Sequence, residues 1–413
     1  MNRSPDSTLA EPSPKAAKLK PRGSSQGGMR QYNERVVLQA IRLNGRLPGA
    51  EIARLTHLTA QSISLITKRL LDDELLIKEQ PQRGKVGQPS VPLALNPDGA
   101  FAIGVKVGRR SLDVLLVDFT GVVRERWDLQ YDFAEPEIVL AHISDCLDKI
   151  KAVLPAAWWE RIQGIGVAAP LNMGGWQQLL GLDQRIVARW ASFALEDEIG
   201  ALSGLPVQSI KDTSAACVAE LVAGRGRDIR NFVYIFVDTF IGGGLVLDSH
   251  LHIGQHGNAG ALGSLPLGMG SRGNGAQLLN VASLYQLENR YVAAGLDGKA
   301  TSDERSVNQT YWPHTQAWLA EAAPALALAL LNTACLLDLE GVILDGCFCR
   351  ELQTRLIQST RVAMGEFNWE GVSQPQLIAG AIGSDARALG GALLPLYANF
   401  APDRDLFLKL DAE

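Results

Sequence analysis

The apolar positions change period along the chain, and the changes mark out its parts. Between residues 33 and 70 they recur at helical spacing. Val37, Ala40 and Ile41 predict one helix over 33–43, closed by Asn44-Gly45. Ala50, Ile52, Ala53 and Leu55 predict a second after Pro48. Ile63, Ile66 and Leu70 share one face of a third, with Thr59 placed as its N-cap. Two strand-like pieces, 76–78 and 91–95, then flank a turn containing Arg83-Gly84-Lys85 and Gly87-Gln88-Pro89. Beyond Asn96-Pro97-Asp98-Gly99 the pattern alternates. Strand-length apolar runs fall at 101–107, 112–118, 122–126, 162–168, 207–210, 232–237, 241–247, 343–344 and 377–381. Helical stripes fall at 136–154 (Val139, Ile143, Cys146, Leu147, Ile150), 196–203 and 213–223. That alternation predicts an α/β body. No internal repeat stands out, although two halves divided near residue 225 would each open on a strand and a glycine turn.

The glycine-rich stretch 237–268 is central. A strand, a tight turn and the run Ile241-Gly242-Gly243-Gly244-Leu245-Val246-Leu247 follow one another. Such a turn cradles phosphate with bare N–H groups in a nucleotide-binding protein, or only reverses the chain in a hairpin.

Composition narrows the classes. A chain of 413 residues with 46% hydrophobic and 20% charged residues is expected to form two or three globular domains. No uninterrupted apolar run reaches the ~18 residues of a membrane span; residues 322–339 are broken by Pro324, Asn332, Thr333 and Asp338. Five irregularly spaced cysteines suit a reducing cytoplasm without a disulfide framework. Residues 1–29, rich in Ser, Pro, Lys and Gly, are expected to be a disordered basic arm and not a secretory signal.

Charge sharpens the picture. Residues 1–100 carry 15 Lys and Arg against 9 Asp and Glu, a formal +6; the remainder carries 24 against 35, a formal −11. A basic front on an acidic body suggests a nucleic-acid module joined to something else. The three helices and the following pair of strands predict a winged helix-turn-helix over 30–96, with residues 97–413 forming the body. The third helix would enter the major groove with Thr59, Gln61, Ser62, Ser64, Lys68 and Arg69, and the turn would add Arg83 and Lys85. Gln can read adenine, Ser can bond to bases or phosphates, and Lys and Arg hold phosphates. The competing reading is a small three-helix packing unit with a solvated face, and for the turn a linker.

Several motifs resemble the ROK family of repressors and sugar kinases, in particular its helix-turn-helix repressors. They are Gly87-Gln88-Pro89-Ser90 after the wing, Phe101-Ala102-Ile103-Gly104 opening the body, and Leu205-Pro206-Val207 before Asp212 and the helix with Glu220. Ile253-Gly254-Gln255-His256-Gly257-Asn258-Ala259-Gly260 and the closing Gly380-Ala381-Ile382-Gly383-Ser384-Asp385-Ala386 and Gly390-Gly391-Ala392 complete the set. The resemblance covers roughly residues 30–400. It implies an actin-like, hexokinase-like body of two α/β lobes around a cleft.

It also implies where kinase fittings would stand, and most are altered. Asp212 matches the family's general base, which takes a proton from a sugar hydroxyl, but follows Lys211 where the family has Asn; without a ligand it would serve as a helix cap. The first phosphate turn reads Lys106-Val107-Gly108-Arg109-Arg110 in place of Asp-x-Gly-Gly-Thr. The second reads Asp238-Thr239-Phe240-Ile241-Gly242, so Phe240 adds bulk and Asp238 adds repulsion where phosphate would sit. Ala261 and Ser264 replace the sugar-contacting Glu and His, and Leu279 stands near a further Glu. The zinc-binding Cys run is missing from 268–277, while Cys347 and Cys349 read as core.

The expectation is therefore a DNA-binding regulator, a repressor of carbohydrate uptake or metabolism genes, with no catalytic residues, cofactor or metal. Lys211, Asp212, His256 and Asn258 are the effector-binding candidates. Its partners would be double-stranded operator DNA, a sugar, polyol or sugar-derivative effector, and a second copy of the chain in a homodimer or homotetramer, with no membrane. The alternatives are an ATP-dependent sugar kinase carrying a DNA-binding module, and a scaffold whose N-terminal helices bind protein.

Overall fold

The computed structural model describes residues 26–81, 91–174, 181, 183–268 and 276–402. The N-terminal module has α1 (Gln26–Asn44), β1 (Arg46–Leu47), α2 (Gly49–Thr56), α3 (Ala60–Asp72), β2 (Leu76–Lys78) and β3 (Leu93–Leu95). α1 begins at Gln26, so the helix runs back into the segment expected to be a disordered arm. His57 ends α2 in the left-handed region (φ 53°), and Thr59 caps α3 by accepting from the Ser62 N–H at 3.2 Å. Ile52, Ile63, Ile66 and Leu70 bury the inner faces. The strands form a three-stranded antiparallel sheet in the order β1-β3-β2; the two-residue β1 lacked a periodic signal. This is the arrangement of a winged helix-turn-helix. Arg83, Lys85 and the run Gly87-Gln88-Pro89-Ser90 lie outside the described residues.

The first lobe is built from β4 (Phe101–Val107), β5 (Ser111–Asp118), β6 (Val123–Gln130), α4 (Pro136–Val153), β7 (Ile162–Ala169), α5 (Gln184–Ser192), α6 (Leu195–Ser203) and β8 (Val207–Lys211). Then α7 (Asp212–Ala223) leads to the second lobe: β9 (Phe232–Val237), β10 (Ile241–Leu247), β11 (His250–His252), α8 (Leu279–Ala282), α9 (Leu284–Ala293), α10 (Trp312–Leu337), β12 (Gly341–Gly346), α11 (Arg350–Met364) and β13 (Gln376–Ala379). α12 (Ala386–Phe400) packs back on α7, β4 and β7.

The two five-stranded sheets repeat one topology. The first runs β6-β5-β4-β7-β8 and the second β11-β10-β9-β12-β13. In each, an antiparallel meander of three strands is extended by two parallel ones. The parts on either side of residue 225 therefore repeat in structure, where the sequence shows no internal repeat. The fold is the two-lobed actin-like, hexokinase-like α/β architecture.

α10 buries Trp318, Leu326 and Leu330 in the second lobe. By length and composition it could cross a membrane, yet over half of its apolar window is buried inside the lobe. Pro324 sits within it. α12 approaches its neighbours at backbone distance. A Cβ on Gly390 would lie 1.7 Å from the Ala215 carbonyl oxygen of α7, and one on Gly166 of β7 would lie 1.8 Å from that of Gly391. Only hydrogen fits at those crossings.

The module is continuous with the body. The apolar cluster around Val37, Ile41 and Leu76 extends to Phe119, Leu393 and Tyr397. Arg227 donates to the Leu43 carbonyl at 3.0 Å, and Arg161 pairs with Glu74 while donating to the Asp98 carbonyl at 2.8 Å.

Candidate functional site

A cavity of about 1300 Å³ lies between the lobes. The β4–β5 turn contributes Arg109 and Arg110, and its counterpart in the second sheet, the β9–β10 turn, contributes Asp238, Thr239 and Phe240. Lys211 at the end of β8 and Asp212 at the start of α7 line its floor, with Asn258, Ala261 and Ser264 beside them. The repeated sheet topology thus puts two equivalent hairpin turns face to face.

Those turns grip one another. The Arg109 guanidinium lies 5.1 Å from the Phe240 ring centre, and that of Arg110 lies 5.6 Å from the ring of Tyr285. Arg110 also donates to both Glu288 carboxylate oxygens of α9, at 2.7 and 2.6 Å. Two arginines of the first lobe, with two aromatic rings and a carboxylate of the second, therefore occupy the space between the turns. Cation–π contact over an aromatic face contributes about 0.5–2 kcal/mol.

Arg387, on α12 and 6% exposed, organises the floor. Its Nη1 lies 2.6 Å from Asp238 and 4.0 Å from Asp212, its Nη2 donates to the Cys347 sulfur at 3.2 Å, and its plane lies over Phe236. Burial opposes charge on both Asp238 and Arg387, but the pair outweighs it: Asp238 is held below the ordinary aspartate range and Arg387 is held protonated. The expected repulsion from Asp238 is therefore corrected, because Arg387 neutralises it. Lys106, 2% exposed, pairs likewise with Asp113 at 2.9 Å. Arg387 carried no motif; its signal was a lone arginine in an apolar final helix.

The four candidate effector residues separate. Lys211, Asp212 and Asn258 reach the cavity, whereas His256 is exposed on the surface and does not line it. His256 lies within the Gly254–Gly257 turn, which is closed by a 3.3 Å backbone bond. Asp212, the first residue of α7, accepts from the adjacent Thr213 N–H at 2.8 Å. Burial lowers the pKa of Lys211 and of Arg109.

Among the described residues no cluster of three His, Cys, Asp or Glu is placed to hold a metal ion. Burial pushes the Cys347 thiol up to about 12, which keeps it protonated and a poor metal ligand. Cys349 caps α11 instead, accepting from the Leu352 N–H.

On the N-terminal module, Gln61, Ser64 and Lys68 stand exposed on one stripe of α3. Leu65, 54% exposed, completes that stripe at helical spacing and was not singled out from sequence. Thr59 and Ser62 share a 2.9 Å hydroxyl contact, and Arg69 pairs with Glu34 of α1 at 3.4 Å. The last three thus also serve the module's own structure.

The ROK family pattern matches residues 102–396, well over half of the chain. The chain belongs to the ROK family. Among ROK relatives, the xylose repressor of Bacillus subtilis is 23% identical over 248 residues, which are 59% of this chain and 62% of the repressor. The bifunctional enzyme NanE/NanK of Brucella melitensis is 30% identical over 249 residues, 58% of this chain and 45% of that enzyme. The chain thus spans less than two thirds of the length of either. A solved ROK family transcriptional regulator, described as a homologue of the E. coli MLC protein, superposes with a TM-score of 0.64 at 23% identity, covering 90% of this chain and 98% of that one. That superposition establishes a common fold across the N-terminal module and the ROK body together.

Proposed function

We propose that this chain is a cytoplasmic DNA-binding transcriptional regulator, a repressor of carbohydrate-related genes, whose cleft senses a sugar or sugar derivative. One observation carries the reading: α12 touches both places where the signal must act. Its Arg387 lies in the cleft and its Tyr397 packs against Arg42 of the N-terminal module. The ten-residue step from one to the other spans about 15 Å of helix. An effector that draws on Asp212 or Arg387 therefore acts on a helix that also supports the DNA-reading module. Binding would shift the population between DNA-competent and DNA-incompetent arrangements. Gln61, Ser64, Leu65 and Lys68 face outward as the base- and phosphate-reading stripe, with Leu65 suited to a thymine methyl. Two copies would place two such helices on a two-fold symmetric operator.

The similarity to a xylose repressor supports this reading, and so does the filling of the phosphate space by Arg109 and Phe240. A mobility-shift titration of the full chain on its own upstream intergenic DNA tests it. Specific, salt-sensitive binding is expected; its absence at every such site sinks the proposal.

The second reading, a sugar kinase with an attached module, is favoured by Asp212 in the cleft and by the similarity to NanE/NanK. It requires ATP binding and phosphorylation lost in Asp212→Asn. Calorimetric titration without ATP heat removes it.

A further inference from the structure

The charged groups of the cleft do not balance. Three ion pairs account for most of them: Lys106 with Asp113, Arg387 with Asp238, and Arg110 with Glu288. Asp212 is the remaining sheltered carboxylate of the lining, and it faces two further cations, Lys211 and Arg109. Asp132 and Lys299, also in the lining, are exposed and solvated. Among the described residues, the sheltered part of the cleft therefore holds five cations and four carboxylates, one positive charge in excess.

The excess cations are also unsatisfied. Lys211 Nζ is buried without any hydrogen-bond partner among the described residues, and Arg109 Nε is in the same condition. Arg109 spends one Nη2 bond on the Asn172 carbonyl at 3.1 Å and its face on Phe240. A buried ammonium with nothing to bond to is destabilising unless a counter-charge arrives. Neutral hydroxyls would satisfy its geometry but leave its charge uncompensated. An anionic group satisfies both.

We infer that the cleft takes a polyhydroxylated ligand bearing one anionic group, a carboxylate or a phosphate, seated against Lys211 and Arg109. Its hydroxyls face Asp212 and Asn258. Lys211 is then the specificity-determining residue, and a neutral sugar is the wrong ligand. This rests on the reading of the cleft as an effector site and narrows it to a chemical class.

The test is calorimetric titration and thermal shift of the full chain with matched series: glucose, gluconate, glucuronate and glucose 6-phosphate, then xylose and xylonate. An acid or phosphate is expected to bind at least roughly tenfold more tightly than its neutral parent. The sugar-acid and sugar-phosphate arms decide which anion is used. Lys211→Met should abolish the preference while raising the melting temperature of the ligand-free protein, and Lys211→Arg should keep the preference. A neutral parent that binds as tightly as its charged partners overturns the inference, as does a preference that survives Lys211→Met. Failure of every charged member to bind overturns it too. None of these outcomes touches the regulator reading, which stands or falls on operator binding measured without ligand.

Discussion

The Arg42 guanidinium of α1 lies 5.2 Å from the Tyr397 ring of α12 and 5.2 Å from the ring of Phe119. It reaches from the N-terminal module into the body, and burial lowers its pKa. Desolvated cation–π contacts contribute about 2 kcal/mol. Arg42→Ala is expected to cost about that much stability and to loosen the module from the body. DNA affinity should change little, while the effector's influence on it should collapse, because coupling needs a shared element. Fluorescence anisotropy on labelled operator, with and without effector, reads both.

The Arg110–Glu288 pair spans the cleft and is about one-third exposed on each side. Such a pair is worth at most ~1 kcal/mol after screening. Glu288→Gln should therefore leave the melting temperature nearly unchanged but open the lobes. A larger radius of gyration by small-angle scattering, and faster ligand entry by stopped flow, are the expected signs. An unchanged scattering profile would show that the pair does not hold the lobes together.

On α3, Lys68 is free and exposed whereas Arg69 is tied to Glu34. Lys68→Ala should lower operator affinity uniformly across sequences and reduce the salt slope by about 1. Arg69→Ala should change the slope less, since Glu34 already offsets its charge. Gln61→Ala should relax the preference at a single base pair by about 1–3 kcal/mol. Binding isotherms at several salt concentrations separate these effects.

Asp345 on β12 is fully buried, accepting from the Gly383 N–H at 2.7 Å and lying 3.3 Å from Arg350. Burial pushes its carboxyl up to about 6, and Glu220 adds to the rise. The folded state thus holds this proton more tightly than the unfolded chain. Its contribution to stability is complete below about pH 4 and is lost as pH rises through about 6, at no more than ~1.4 kcal/mol per pH unit. Asp345→Asn should flatten that part of the denaturation profile and leave the region above pH 7 parallel to the parent. A slope unchanged between pH 4 and 6 would falsify the assignment.

Much of the fold was readable from periodicity. Strands such as Phe101–Val107, apolar but for Gly104 and Lys106, and Phe232–Val237 are buried at every position and bounded by turn residues, so they stand out. α10 did not, because it is apolar all round and contains Pro324, which reads as a breaker. α11 was also passed over, although Leu352, Leu356, Ile357, Thr360 and Ala363 do fall on one buried stripe. The site was legible where it rested on local motifs, as with Lys211, Asp212 and Asn258. It was not legible where it rested on partners far apart in sequence. Arg110 meets Glu288 and Asp238 meets Arg387 only because the second sheet folds back against the first. No spacing rule encodes such a meeting. His256 sits in a motif too, yet lies exposed outside the cavity lining.

The bare-backbone crossings at Gly390 and Gly166 restrict how this molecule can move. Opposing atoms there already leave less room than a methyl group needs. Sliding α12 along β7 or α7 by one residue would drive a side chain into a carbonyl, because Ala388, Leu389 and Ala392 flank Gly390 and Gly391. Any opening of the cleft must therefore be a swing about the crossing and not a shear across it. The swing leaves the centre of α12 in place and displaces its ends in opposite senses, so a small tilt at Arg387 becomes an opposite tilt at Tyr397. The helix behaves as a lever on a fixed pivot.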